Sequence, residues 1–119
     1  MSSINRVKSE LEDLLELEDV EAVVLFRIDG SVIESSFDNN YTSRKIRVLQ
    51  WCKDNVPRVS QEMRGNNLQK VTYELSDTCI LFFAIGKIGI LTTLANNTAN
   101  LSLLAVETKR KASTIENYM

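Results

Sequence analysis

The side chains best suited to chemistry are acids near the start of the chain. Glu10, Glu12, Asp13, Glu16, Glu18, Asp19 and Glu21 place seven carboxylates and no base within twelve residues. Paired carboxylates divide acid and base roles when an apolar pocket drives their pKa values apart. These acids instead fall on the polar side of an amphipathic segment, which reads as a solvated face. Cys52 and Cys79 lack CxxC spacing, cannot hold zinc by themselves, and lie in apolar runs that read as buried thiols. The chain has no histidine, which removes Ser-His-Asp and Cys-His pairs, imidazole zinc sites and the commonest general base near neutral pH. The one Gly-Lys dipeptide, in Gly86-Lys87-Ile88-Gly89, lacks the flanking residues of a phosphate loop and reads as a turn, and GxGxxG is missing. The expectation is a protein that is not an enzyme, with no catalytic residue, no cofactor and no metal.

Surface residues carry the stronger signal. A stripe of Ile46, Leu49, Cys52, Val56, Val59 and Met63 predicts a long helix from Ser43 to Arg64, buried along that stripe. Its opposite side carries Arg44, Arg47, Gln50, Trp51, Asp54 and Arg58. A partly exposed tryptophan among arginines has the composition of an interface hot spot; ordinary packing over a sheet edge is the alternative. Pro57 interrupts the stripe and predicts a kink near Asn55, or two short helices with Pro57 opening the second.

These residues must be positioned by a small fold. With 119 residues, 44% of them hydrophobic, and a net charge of −2, the sequence supports a single domain over 1–119 with one core. The near-neutral balance argues against a nucleic-acid binder. No window is long and apolar enough for membrane insertion, the first residues lack a signal peptide's apolar stretch, and a cytoplasmic location is expected.

Ile4, Val7, Leu11, Leu14 and Leu15 predict a first helix over Ser3 to Glu18, capped by Ser2 or Ser3, and its acidic side calls for a basic neighbour. Asp29-Gly30 between Ala22 to Ile28 and the polar run Ser31 to Ser36 predicts a hairpin. Leu68 to Leu75, Thr78 to Ile85 and Ile88 to Leu94 predict a three-stranded meander, turning at Ser76-Asp77 and Gly86-Lys87. Ala99 to Tyr118 predicts the last helix, with Asn97, Thr98 or Asn100 as cap, and its Lys109-Arg110-Lys111 is a candidate partner for the acidic run. Runs apolar on both faces belong in the middle of a sheet, and the two half-polar runs belong at its edges. The result is an α+β fold: a five-stranded antiparallel sheet of order 2-1-5-4-3, with the first and third helices on one face and the long helix on the other. The third strand, an edge with one polar face, needs protection or a partner.

This order of elements resembles the roadblock family, named for dynein light chains. The resemblance lies in Val23-Val24-Leu25-Phe26-Arg27-Ile28-Asp29-Gly30-Ser31-Val32-Ile33-Glu34-Ser35, similar to the family's strand, Asp-Gly turn and short second strand. It continues in Ile90-Leu91-Thr92-Thr93-Leu94-Ala95-Asn96 and Asn100-Leu101-Ser102-Leu103-Leu104, similar to its last strand and the start of its final helix. Pro57 and the polar second strand depart from the usual pattern.

The resemblance implies a profilin/roadblock-like fold and a dimer in which long helices lie side by side and third strands pair. It implies a non-enzymatic scaffold or adaptor that binds a small Ras-like GTPase, as a homodimer or as a heterodimer with a related subunit. Carried over by position, the contacts are Arg47, Val48, Trp51, Asn55, Lys70, Thr72 and Glu74, with Arg44 and Arg58 on the same helix. Any effect on GTP turnover would come through ordering the GTPase's own switch loops, with Arg44, Arg47 and Arg58 as candidates for an inserted arginine. The alternatives are a small-molecule sensor of profilin-like fold and an adaptor subunit of a larger complex.

Overall fold

A computed structural model describes residues 3–38 and 42–119. The apolar runs become five strands, β1 (Val20–Arg27), β2 (Val32–Phe37), β3 (Lys70–Glu74), β4 (Thr78–Ile85) and β5 (Gly89–Asn96), with helices α1 (Ser3–Leu15), α2 (Ser43–Gly65) and α3 (Leu101–Tyr118). All strands pair antiparallel in the order β2-β1-β5-β4-β3, the order the sequence predicts. The three central strands are apolar on both faces because each face is covered. Val23 and Leu25 of β1 join Leu81 and Phe83 of β4 beneath Val7, Leu11 and Leu14 of α1 and Leu104, Ala112 and Ile115 of α3. On the other face Val24, Phe26, Ile80 and Phe82 pack against Cys52, Val56, Val59 and Met63 of α2. Each such side chain removed from water contributes roughly 1.5–3 kcal/mol before the cost of ordering it.

The helix ends follow local chemistry. α1 stops at Leu15, short of the expected Glu18. The Leu17 N–H bonds back to the Leu14 carbonyl, the Val20 N–H bonds to Leu17, and Asp19 takes a left-handed conformation (φ 68°) that starts β1 early. Ser3 is the first helical residue, and Ser2 lies outside the described residues. Thr42 caps α2 by accepting from the Lys45 N–H at 3.1 Å, and Asn100 caps α3 by accepting from the Leu103 N–H at 3.0 Å.

Two expectations for α2 need correction. Of the two outcomes expected at Pro57, two short helices are not found: a single helix runs from Ser43 to Gly65 with Pro57 inside it. Pro57 lacks the N–H that the Lys53 carbonyl would accept. Gly30, at φ +93° in the Asp29-Gly30 turn, lies so close that a Cβ there would stand 2.8 Å from that oxygen. A side chain at position 30 would therefore collide with the carbonyl that Pro57 leaves without its helical donor. The buried stripe also begins at Lys45, not Ile46, which is 57% exposed. Lys45 reaches back to Asp38, its ammonium 2.9 Å and 3.0 Å from the two carboxylate oxygens, and so neutralises its charge within the packing.

Candidate interaction surface

The two edges of the sheet are finished differently. In β2, the Asp38 N–H bonds to the Glu21 carbonyl and Val24 stands opposite Ser35, so antiparallel alternation turns the Ser35 backbone outward. Both of its outward groups are occupied. Lys8 of α1 donates to the Ser35 carbonyl at 2.7 Å, and the Glu34 carboxylate accepts from the Ser35 N–H at 3.0 Å. Lys8 and Glu34 also lie 3.5 Å apart as an ion pair.

β3 has no such cover. Gln69 accepts from the Ala84 N–H and the Leu75 N–H donates to Thr78, so Val71 and Tyr73 bond toward β4. The backbone donors and acceptors of Lys70, Thr72 and Glu74 point away from the sheet. Among the described residues nothing bonds to them. Their side chains, all exposed, lie on the α3 side of the sheet, while Val71 and Tyr73 turn toward α2.

Along α2, Arg44, Val48, Trp51, Asn55, Arg58 and Glu62 recur at three- and four-residue spacing. Trp51, 38% exposed, meets Tyr73 edge to face with ring centroids 5.4 Å apart, and Tyr73 meets Phe82 the same way at 5.8 Å. An aromatic ladder thus runs from the core to the surface, each contact worth about 0.5–1.5 kcal/mol beyond burial. Trp51 is at once packed over the sheet edge and open on its outer face. Asn55 donates to the Trp51 carbonyl at 2.8 Å and accepts from Arg58 at 3.1 Å, and Arg58 also reaches Glu62 at 3.1 Å. A hydrogen bond with Tyr73 raises the Arg58 pKa above its ordinary value, and Glu62 adds to the effect. Arg44 is tied to Asp77 of the β3–β4 turn and to Thr78 at the start of β4, and Val48 is half-buried against the α2 core. Arg47 is exposed.

The structure thus gathers Val48, Trp51, Asn55 and Arg58 beside β3, and puts Lys70, Thr72 and Glu74 on the other face of the same edge. Sequence reasoning missed Tyr73, the residue joining Trp51 to the core. Its alternation with Lys70, Thr72 and Glu74 marked it as inward-facing, but not as the tryptophan's support. It also missed the Lys8–Glu34 clasp, for which a lysine on the first helix and an acid in a polar strand were the only signal.

Elsewhere the acidic run finds its basic neighbour. Lys111 of α3 lies 2.7 Å from Glu10 and 2.9 Å from Asp13 of α1. Partial burial pulls the Lys111 pKa down, but these two carboxylates outweigh it and hold it above the ordinary lysine value. Cys52 and Cys79 are both buried, and burial pushes the Cys52 thiol up to about 12. Among the described residues no three Cys, Asp or Glu side chains converge as metal ligands would, and no helix is long and apolar enough to cross a membrane.

The chain is similar to several solved structures. The gliding protein MglB from Thermus thermophilus superposes with a TM-score of 0.81 at 13% identity, over 99% of this chain and 91% of that one. MglC from Myxococcus xanthus gives 0.77 at 10% identity, over 98% and 99%. A Roadblock/LC7 domain from Streptomyces avermitilis gives 0.72 at 17% identity, over 93% and 95%. Identities this low establish a common fold, the roadblock fold. No curated protein matches the sequence. The profile of the AF0774-like proteins matches residues 4–109, so the chain belongs to the AF0774-like protein family and carries it on a roadblock fold.

Proposed function

We propose that the protein is a non-catalytic scaffold that pairs with a second copy through β3 and α2, and that the pair binds a small Ras-like GTPase. The inequality of the two sheet edges carries the pairing. β2 has its outward backbone groups at Ser35 occupied by side chains, whereas β3 offers those of Lys70, Thr72 and Glu74. An open edge is a template for another strand. The β3 sequence also complements itself. Antiparallel pairing about a two-fold axis at Thr72 sets Lys70 of each copy opposite Glu74 of the other, forming two cross-strand ion pairs. Trp51, Asn55 and Arg58 then flank the seam on the α2 side as its anchor.

The GTPase part of the reading rests on the roadblock resemblance. Arg44 and Arg58 are held by intramolecular partners, which favours ordering of the GTPase's own switch loops over an arginine inserted from this chain. Adaptor binding without an effect on turnover is the weaker form of the same reading.

Light scattering at low micromolar concentration tests the pairing, with an expected mass of twice the chain. Trp51→Glu, checked for intact secondary structure by circular dichroism, is expected to give the monomer mass. It is also expected to lose capture of Ras-like GTPases from a native extract identified by mass spectrometry. A folded Trp51→Glu protein that keeps both the double mass and the capture overturns the reading, and a monomeric wild type overturns self-pairing.

A further inference from the structure

The end of the molecule where α2 hands over to β3 carries a second surface, which reaches from the α3 face of the sheet round to the last turn of α2. Two open hollows share Asn67, Leu68 and Gln69, one bounded by α3 and the other by the β4–β5 turn. They meet at this segment as one groove that runs from the flank of α3 to the end of α2. Its apolar lining is Leu68, Phe83 and Val106, with Leu68 46% and Val106 58% exposed. Four cations, Arg64, Lys70, Lys87 and Lys109, stand around it.

The cations are what distinguish this groove. Elsewhere on α3 positive charge is matched within the chain: Arg110 pairs with Glu107 at 3.0 Å, and Lys111 with Glu10 and Asp13. Among the described residues Arg64, Lys70, Lys87 and Lys109 make no ion pair, and Glu116 is the one acid lining the groove. An apolar floor under unmatched cations fits a ligand with an apolar stripe flanked by carboxylates. A helix suits the shape, since α3 already forms one wall and a second helix packs at about 8–10 Å from the first. A second copy docked groove to groove would set these cations against their own kind, which is unfavourable.

We propose that this groove docks an amphipathic helix of a partner protein, with acidic residues on both sides of its apolar stripe. The surface shares Lys70 with the proposed seam, whereas Arg64, Leu68, Lys87, Val106 and Lys109 lie outside it, so these contacts remain whether or not the chain pairs.

The test uses the full chain, labelled with nitrogen-15, and two fluorescent 18-residue helical peptides with the same leucine face, one flanked by glutamates and one by lysines. The glutamate peptide is expected to bind at least tenfold tighter than its lysine twin. Amide shifts should concentrate at Leu68, Lys87 and the segment from Val106 to Lys109. Arg64→Glu with Lys109→Glu is expected to weaken binding at least tenfold while leaving the light-scattering mass unchanged. Val106→Glu, at an exposed position, should weaken it similarly without loss of helix signal. Equal affinity for the two peptides, or shifts elsewhere, overturns the proposal. So does a peptide-free rise in mass abolished by Val106→Glu, which would identify a second copy as occupant. Sedimentation with phosphatidylserine vesicles in place of peptide binding would overturn it in favour of a lipid surface.

Discussion

At the scale of single residues, Gly30, Lys53 and Pro57 depend on one another across 27 positions of sequence. Pro57 deprives the Lys53 carbonyl of its helical donor, and Gly30 approaches that oxygen because it has no side chain and can hold φ +93°. Gly30→Ala is therefore expected to destabilise the fold by about 1–3 kcal/mol, through both the strained φ and the collision with backbone. Chemical denaturation measures it as a lower midpoint with an unchanged slope. Gly65→Ala is the matched control: that glycine is helical with open space around the missing Cβ, and the change is expected to be neutral or to stabilise by under about 1 kcal/mol. The Asp29-Gly30 turn was legible in the sequence because turn chemistry is local, and Asp29 indeed accepts from the Ser31 N–H at 2.9 Å. What the turn leans on was not legible, since a proline's orphaned carbonyl says nothing about which distant segment will meet it.

At the scale of elements, α1 and α3 are joined by charge as well as by packing. Side chains of Lys111 and Glu10 are 18% and 17% exposed, so water screens them less than a surface pair, and the contact contributes on the order of 1 kcal/mol. Its pH dependence has a definite sign. Lys111 has a folded pKa raised above the 10.5 of the free side chain. Its stabilising contribution is therefore fully present below about that pH and is lost as pH climbs through the folded value. Lys111→Met is expected to lower stability at pH 7 but to narrow its difference from wild type above pH 10.5, as thermal melts across an alkaline series would register. A difference that stays constant through that range would assign the effect to packing alone. Seven acids without a base made the need for a cation readable; which of Lys109, Arg110 and Lys111 would supply it depended on helix phase. Phase also explains Ile46. Counting in threes and fours back from Cys52 through Leu49 reaches both Lys45 and Ile46, and hydrophobicity alone favoured the isoleucine. The buried seat went to Lys45 because Asp38, seven residues earlier, neutralises it.

At the scale of the whole molecule, the fold was readable because strand burial is written in composition. Runs apolar on both faces became β1, β4 and β5, and half-polar runs became edges. The candidate surface was readable in part. Trp51 and the outward set Lys70, Thr72 and Glu74 follow from periodicity, whereas Tyr73 as support and the clasp over Ser35 require the third dimension. The proposed seam makes a charge-reversal prediction. Lys70→Glu sets like charges opposite each other twice, and is expected to raise the dissociation constant of the pair roughly tenfold. Adding Glu74→Lys restores opposite charges and is expected to recover most of the loss. Sedimentation equilibrium distinguishes this from general destabilisation, which the second change would not repair.

The clasp of Lys8 and Glu34 over Ser35 has one more consequence. A sheet with two open edges can add strands without end, and a chain built that way risks becoming a fibre. Here growth is possible in only one direction, so two chains joined at β3 would present a blunted strand at either end. Such an assembly would terminate itself at twice the five strands of one chain, and rising concentration would fill pairs without lengthening them.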